Sequence, residues 1–238
     1  PYCYASAEPD HRTPESAIAR IVGWRDLISK HTDRSVPIYI TEIGWPTHDG
    51  PTGTSPARSA DYLARFYLLA RATEGVAGVW WYDFQDDGWN PEYNEDNFGI
   101  VRPDLTPSPA YFALLEVANL LHEARSVRTI PFDHDLQGVQ IERPDGRLTL
   151  AFWSTAEARR TILPFSPALD EDATATITVV GRPPVVRRVV HRDWPGQPQA
   201  PVERALALTV GETPVLVHLP ALPPSEPVPT PQLVMQGE

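Results

Sequence analysis

With 238 residues, 42% of them apolar, the chain has material for one large domain or two small ones with cores of their own. A net charge of −11 and a pI near 5.1 argue against nucleic acid or an anionic membrane as partner, and no apolar run approaches the length of a membrane-spanning helix. The one cysteine, Cys3, excludes an internal disulfide and leaves the redox compartment open.

The first clear element begins at Thr13-Pro14-Glu15-Ser16, where a threonine N-cap and a proline at the first helical position mark a helix start. Ile18, Ile21, Val22, Leu27 and Ile28 then recur at helical spacing to about His31. Next comes Pro37-Ile38-Tyr39-Ile40-Thr41-Glu42-Ile43-Gly44-Trp45-Pro46, an apolar, β-branched and aromatic run closed by glycine and proline. With so little polar alternation it reads as a strand buried on both faces, as parallel strands between helices are. Its single carboxylate, Glu42, stands at the C-terminal end. An unpaired charge inside such a strand costs on the order of several kcal/mol or neutralises itself. The position escapes that cost where the strand end opens into a polar pocket, which is where α/β barrel enzymes place their catalytic groups. The alternative is a glutamate at a strand-loop border paired with a surface arginine, and the spacing leaves both readings open. Ser55-Pro56 repeats the helix-start signal, with Leu63, Phe66, Tyr67 and Ala70 on one face and Gly75 as the stop. A second apolar strand follows in Val76-Ala77-Gly78-Val79-Trp80-Trp81-Tyr82-Asp83-Phe84, and a third helix runs from Thr106-Pro107 through Leu121. Helix, strand, helix, strand, helix at this spacing is a βαβ pattern and implies a parallel sheet.

Four stretches then carry a resemblance: Ile40-Thr41-Glu42-Ile43-Gly44-Trp45-Pro46-Thr47, Trp80-Trp81-Tyr82-Asp83-Phe84-Gln85-Asp86-Asp87-Gly88, Glu95-Asp96-Asn97-Phe98-Gly99-Ile100-Val101 and Pro107-Ser108-Pro109-Ala110-Tyr111. Together they resemble the last quarter of a clan A glycoside hydrolase, nearest the bacterial branch around families five and thirty-nine. The resemblance covers roughly residues 1–122. It implies the C-terminal portion of a (β/α)₈ TIM barrel, from the end of strand six through helix eight, with Glu42 as the nucleophile closing strand seven. The aromatic that stacks on the sugar at the end of strand eight maps onto Trp81 ahead of Trp80. Pro1-Tyr2-Cys3-Tyr4 looks like the end of strand six, so that Tyr2 would hydrogen-bond the nucleophile. Trp45 and Trp89 join the aromatics around the strand ends that can stack on sugar faces. Because Val79, Trp81 and Asp83 alternate onto one face, that face is expected to line the barrel interior near Glu42, with Trp80 turned toward the barrel-helix core. Ser108 departs from the pattern, since relatives often carry lysine there.

Hydrolysis with retention needs two carboxyl groups about 5–5.5 Å apart, one ionised to attack the anomeric carbon and one protonated to help the leaving group depart. In the resembled family the acid/base glutamate follows an asparagine at the end of strand four. Here the only Asn-Glu dipeptide, Asn94-Glu95, lies in the acidic loop after the second strand. The acid/base residue is therefore expected outside this chain, which reads as the C-terminal part of a longer enzyme. A (β/α)₈ barrel alone takes about 250 residues, which agrees. The opening on Pro1 agrees with truncation and equally with processing. The parent is expected to be a secreted or extracytoplasmic retaining glycoside hydrolase of a poly- or oligosaccharide, needing no cofactor. The alternative is a non-catalytic carbohydrate-binding protein or pseudoenzyme on the same fold.

After about Ala124 the period changes from helical to two. Val139 and Ile141, a Pro144-Asp145-Gly146 turn, then Leu148, Leu150 and Phe152 form a hairpin pattern. Further strands centre on Ile162, on residues 175–179, 186–190, 206–210 and 215–219. About seven short strands suggest an antiparallel β-sandwich, similar to the small domain beside the barrel in many clan A enzymes. It is expected to be structural, the competing reading being a carbohydrate-binding module using Trp153 or Trp194. The expected division is a partial barrel at 1–124, a β-sandwich at 125–220 and a Pro-rich linker at 221–238.

Other motifs fall away. Counting an EF-hand loop from Asp83 puts Asn94, not Glu, at the bidentate position, so the acidic stretch from Asp83 to Asp96 is expected to be a solvated loop shaping the cleft. The seven histidines show no zinc-ligand spacing, and His122 and His218 read as boundary or surface residues. No Gly-x-Ser-x-Gly elbow and no glycine-rich loop after a strand is present.

Overall fold

The computed structural model describes residues 12–130, 135–156, 158–165, 174–181, 185–188, 190–192, 203–219 and 232–233. The chain divides into two compact units, residues 1–122 and 123–238.

In the first unit α1 (Pro14–Ser29), β1 (Ile38–Ile43), α2 (Pro56–Ala72), β2 (Val76–Trp81) and α3 (Pro109–His122) follow one another. Both early helices start as their sequences direct: Thr13 Oγ1 accepts from the Ser16 N–H, and Ser55 Oγ from the Arg58 N–H, each with proline in the first turn. Gly75, at φ +84°, takes the left-handed conformation that lets the chain leave α2 and turn directly into β2. The two strands pair in parallel through α2, the expected βαβ unit. Ala17, Leu63, Ala64, Phe66, Leu68, Ala113 and Val117 are fully buried between the helices and the sheet. A charge pair lies in the same core. The guanidinium of Arg65, 2% exposed, donates two hydrogen bonds to the Glu15 carboxylate, from Nε to Oε1 at 2.9 Å and from Nη2 to Oε2 at 2.5 Å, tying α1 to α2.

Among the described residues the sheet is covered on one side only. Ile40 and Ile43 are buried, whereas Tyr39, Thr41, Ala77 and Trp80 are exposed, and the Tyr39 and Trp80 rings lie 6.3 Å apart on the open face. The expectation of a strand buried on both faces is met on one. α3 also starts later than expected, at Pro109. Pro107 bridges Val101, and the Ser108 N–H donates to the Ile100 carbonyl, so residues 106–108 stay extended against the preceding segment.

The second unit is built from two antiparallel sheets. Six strands lie in the order β3-β4-β5-β11-β7-β8, and four in the order β12-β6-β10-β9, with β3 at Ser126–Thr129, β4 at Leu136–Glu142, β5 at Leu148–Ser154, β6 at Arg159–Phe165, β7 at Thr174–Val179, β8 at Val185–Arg188, β9 at Val190–Arg192, β10 at Glu203–Val210, β11 at Val215–Leu219 and β12 at Gln232–Leu233. The β4-β5 hairpin turns at Gly146, φ +82°, whose N–H donates to the Arg143 carbonyl. All seven residues of β5 are buried, so its polar members need partners: Thr149 Oγ1 lies 3.0 Å from His218 Nδ1, whose Nε2 lies 3.3 Å from Thr178 Oγ1. Burial, with the Arg143 charge second, holds the His218 pKa below the usual imidazole value. The stretch read as linker contributes a short strand, since Gln232 and Leu233 pair with Ile162 and Thr161 of β6.

Candidate active site at the strand ends

Glu42 is held at the C-terminal end of β1 by an irregularity in the ladder. Ile40 pairs with Val79 and Ile43 with Trp81, so three steps on β1 match two on β2. Such an extra residue breaks the strict alternation of sides and re-aims the side chains within it. Ile40 and Ile43, at 5% and 2% exposure, both lie on the helix side, and Thr41 and Glu42 occupy the bulge between them. Glu42 is half-buried, and among the described residues its carboxylate has no hydrogen-bond or ion-pair partner. The surface-arginine alternative thus finds no counterpart in the described part of the molecule.

Immediately beyond, the two strands close together. The Tyr82 N–H donates to the Ile43 carbonyl at 2.8 Å, and a Cβ on Gly44 would stand 2.0 Å from the Tyr82 carbonyl oxygen. Only glycine permits that approach. The loops that follow are joined by their backbones, Thr47 N–H to the Asn97 carbonyl at 2.9 Å and Asp49 N–H to the Pro91 carbonyl at 2.7 Å. Within the first loop the buried His48 accepts from the Gly50 N–H at Nδ1 and lies 3.1 Å from Thr52 Oγ1 through Nε2. It serves as a strut, both ring nitrogens being engaged.

The second loop folds back on itself through Asp83 N–H to Phe98 O, Ile100 N–H to Asp83 O and Asp86 N–H to Val101 O. Two of its carboxylates accept from backbone donors, Asp86 Oδ1 from the Gly99 N–H at 2.7 Å and Asp96 Oδ2 from the Asn90 N–H at 3.0 Å. Asp83 is placed differently. Its Oδ1 is buried without a hydrogen-bond partner, and its pKa is pushed up to about 6, first by burial and then by the negative charges of Asp87 and Asp86. Burial also raises Tyr82, with Glu95 and Asp83 adding to it; its hydroxyl makes a long 3.4 Å hydrogen bond to Glu95 Oε2.

The aromatic residues do not gather as the sequence suggests. Trp81, paired with Ile43, stacks 5.7 Å from Trp45, which in turn meets Tyr62 and Phe66 of α2 edge-on. Trp81 therefore sits on the helix side and Trp80, 54% exposed, on the open face, the reverse of the expected arrangement. Trp45 is 3% exposed, its indole N–H donating to the Arg12 carbonyl, which leaves no ring face for a sugar. Trp89, 63% exposed, stands on the second loop. Tyr2 and Trp194 lie outside the described residues. Trp153 is fully buried and cannot act as a binding platform. Tyr82 has no role in the sequence analysis, although alternation from Trp80 already places it on the open side.

No protein-family model matches the sequence, and no curated protein does. Among solved structures, a family 39 glycoside hydrolase from the gut symbiont Bacteroides cellulosilyticus WH2 aligns with a TM-score of 0.59 at 28% identity, over 83% of this chain and 38% of that one. Looser likenesses, which add no argument, join a GH51 arabinofuranosidase from Xanthomonas axonopodis pv. citri (TM-score 0.48, 14% identity, 90% of this chain and 48% of that) and the catalytic domain of GH30 xylanase C from Talaromyces cellulolyticus (0.47, 11%, 79% and 42%). The chain thus spans well under half the length of the family 39 structure. In fold as in motif it resembles the clan A glycoside hydrolases, whose catalytic domain is a TIM barrel.

Proposed function

We propose that this chain supplies the nucleophile side of a retaining glycoside hydrolase, with Glu42 as the attacking carboxylate. The observation that carries the reading is the bulge that presents a carboxylate with no partner among the described residues at the C-terminal end of a parallel strand, where enzymes of this architecture do their chemistry. In the reaction a Glu42 oxygen attacks the anomeric carbon as the glycosidic C–O bond breaks, and the departing oxygen takes a proton from the acid. Water then attacks the glycosyl ester, giving its proton to the same acid in its base form and releasing Glu42.

The acid/base residue belongs, on this reading, to a part of the parent outside these 238 residues. Tyr2 would hydrogen-bond the nucleophile. The sugar platform passes from Trp81, packed on Trp45, to the residues alternating with it, Trp80 and the outermost, Tyr82. Substrate is a poly- or oligosaccharide met outside the cytoplasm. The second unit is a β-sandwich with a structural role, supported by its two antiparallel sheets and the burial of Trp153. The test is a fluorosugar that traps the glycosyl-enzyme of the complete parent. Mass spectrometry should find the label on the peptide containing Glu42, and a label on any other carboxylate overturns the assignment.

A further inference from the structure

The loop after β2 combines two properties that seldom occur together, large exposed rings and a firmly held backbone. Trp89 and Tyr93 are 63% and 53% exposed. Asp96 lies against both residues that flank Trp89 and bonds one of them. Its carboxylate accepts from the Asn90 N–H at 3.0 Å, and it sits so closely over Gly88 that a Cβ there would lie 2.2 Å from Oδ2. Asn97 Nδ2 donates to the Asn90 and Tyr93 carbonyls at 2.8 and 2.7 Å, and Pro91 accepts from Asp49 of the loop that leaves β1. Trp89 and Tyr93 are thus mounted on a braced turn after β2, at the same C-terminal end of the parallel pair as Glu42. Rigid aromatic side chains on a fixed backbone lose little entropy on binding, and their π faces suit the C–H faces of pyranose rings.

Charge narrows the ligand. From Asp83 to Val101 the loop holds Asp83, Asp86, Asp87, Glu92, Glu95 and Asp96 and no lysine or arginine. Neighbouring carboxylates of like sign repel an anionic polymer while leaving an uncharged one unaffected.

We propose that Trp89 and Tyr93 form an outer glycan subsite that takes neutral sugar units and turns away uronate-containing or sulfated chains. The proposal rests on the glycosidase reading for the biological role of the subsite but not for its binding. Affinity electrophoresis of the 238-residue chain through gels containing β-glucan, xylan, mannan, polygalacturonate or alginate tests it. At least one neutral polymer should retard the chain and the two uronates should not. Trp89→Ala should weaken that retardation about tenfold and Tyr93→Ala severalfold. Asp96→Ala, which frees the mount but keeps both rings, should also weaken binding, with the thermal midpoint of each variant confirming a folded chain. Glu92→Lys, which reverses one of the six charges, should increase retardation by the uronates relative to that by the neutral polymer. Binding unaffected by Trp89→Ala, equal retardation by uronates, or no retardation by any neutral polymer overturns the subsite. Glu42→Gln separates the two ideas: retained binding with no change in the parent's hydrolysis would sink the nucleophile assignment and leave the subsite standing.

Discussion

Glu42 and Asp83 are two half-buried carboxyl groups at neighbouring strand ends with different surroundings, and each makes a distinct prediction. Glu42→Gln in the complete parent should lower kcat by several orders of magnitude with the thermal midpoint nearly unchanged, because the amide keeps the shape and loses the nucleophile. Asp83 has its pKa raised to about 6 by burial and by Asp87 and Asp86. A carboxyl raised in the folded state contributes stability that is complete below the unfolded value, near pH 4, and is lost as pH rises through 6. Asp83→Asn should therefore be more stable than the parent sequence at pH 7–8, on the order of 1 kcal/mol once solvent screening of this partly exposed group is allowed for. The gain should vanish near pH 4, which denaturant titrations at the two pH values will show. At this scale Glu42 was legible because a lone charge in an apolar run has few places to go. The side occupied by Trp81 was not. Alternation says which residues share a face but not which face α2 covers, and the Trp45 stack settles that.

The helices and the longer strands were legible from caps and periods, since proline, threonine, serine and glycine act locally on the backbone. What escaped depends on contacts distant in sequence. β3 is short and partly polar, and is a strand only because Ser126 to Thr129 find Glu142 to Val139 across the ladder. β12 lies in a proline-rich stretch whose composition reads as extended chain, and pairs with β6 some 70 residues earlier. β5 was expected to show one polar face, yet its threonine is buried against His218. The α1-α2 contact gives the sharpest test of element packing. Glu15→Ala leaves the Arg65 guanidinium buried beside Tyr62, with its ring centroid 5.1 Å away, and without its carboxylate. The loss should be on the order of 1–3 kcal/mol, since the buried guanidinium loses the acceptor of two of its hydrogen bonds. Replacing both, Glu15→Leu with Arg65→Met, should recover most of it in urea melts.

At the scale of the whole molecule, β1 and β2 form a two-stranded parallel sheet with Tyr39 and Trp80 exposed on its uncovered face. Parallel sheets are ordinarily covered on both sides. If the acid/base residue lies outside these 238 residues, as the proposed function has it, the chain made alone should hydrolyse no aryl glycoside, β-glucan, xylan or mannan at a useful rate, since a general acid is worth about 10²–10⁴-fold. Robust turnover by this chain, abolished by Glu42→Gln, would show instead that Asp83 or Glu95 acts as the proton donor. The bulge at Thr41 and Glu42 has a consequence for how such chains diverge. The bulge stores information in where the letters sit rather than in which letters they are. Deleting Thr41 would leave the Glu-Ile-Gly-Trp-Pro signature intact letter for letter, while Ile40 and Ile43 kept the helix side and the carboxylate took the single place between them on the open face, without the extra residue that now sets its aim. On the nucleophile reading, a descendant with that single-codon loss would match its ancestor in every motif and differ from it in the direction of one side chain.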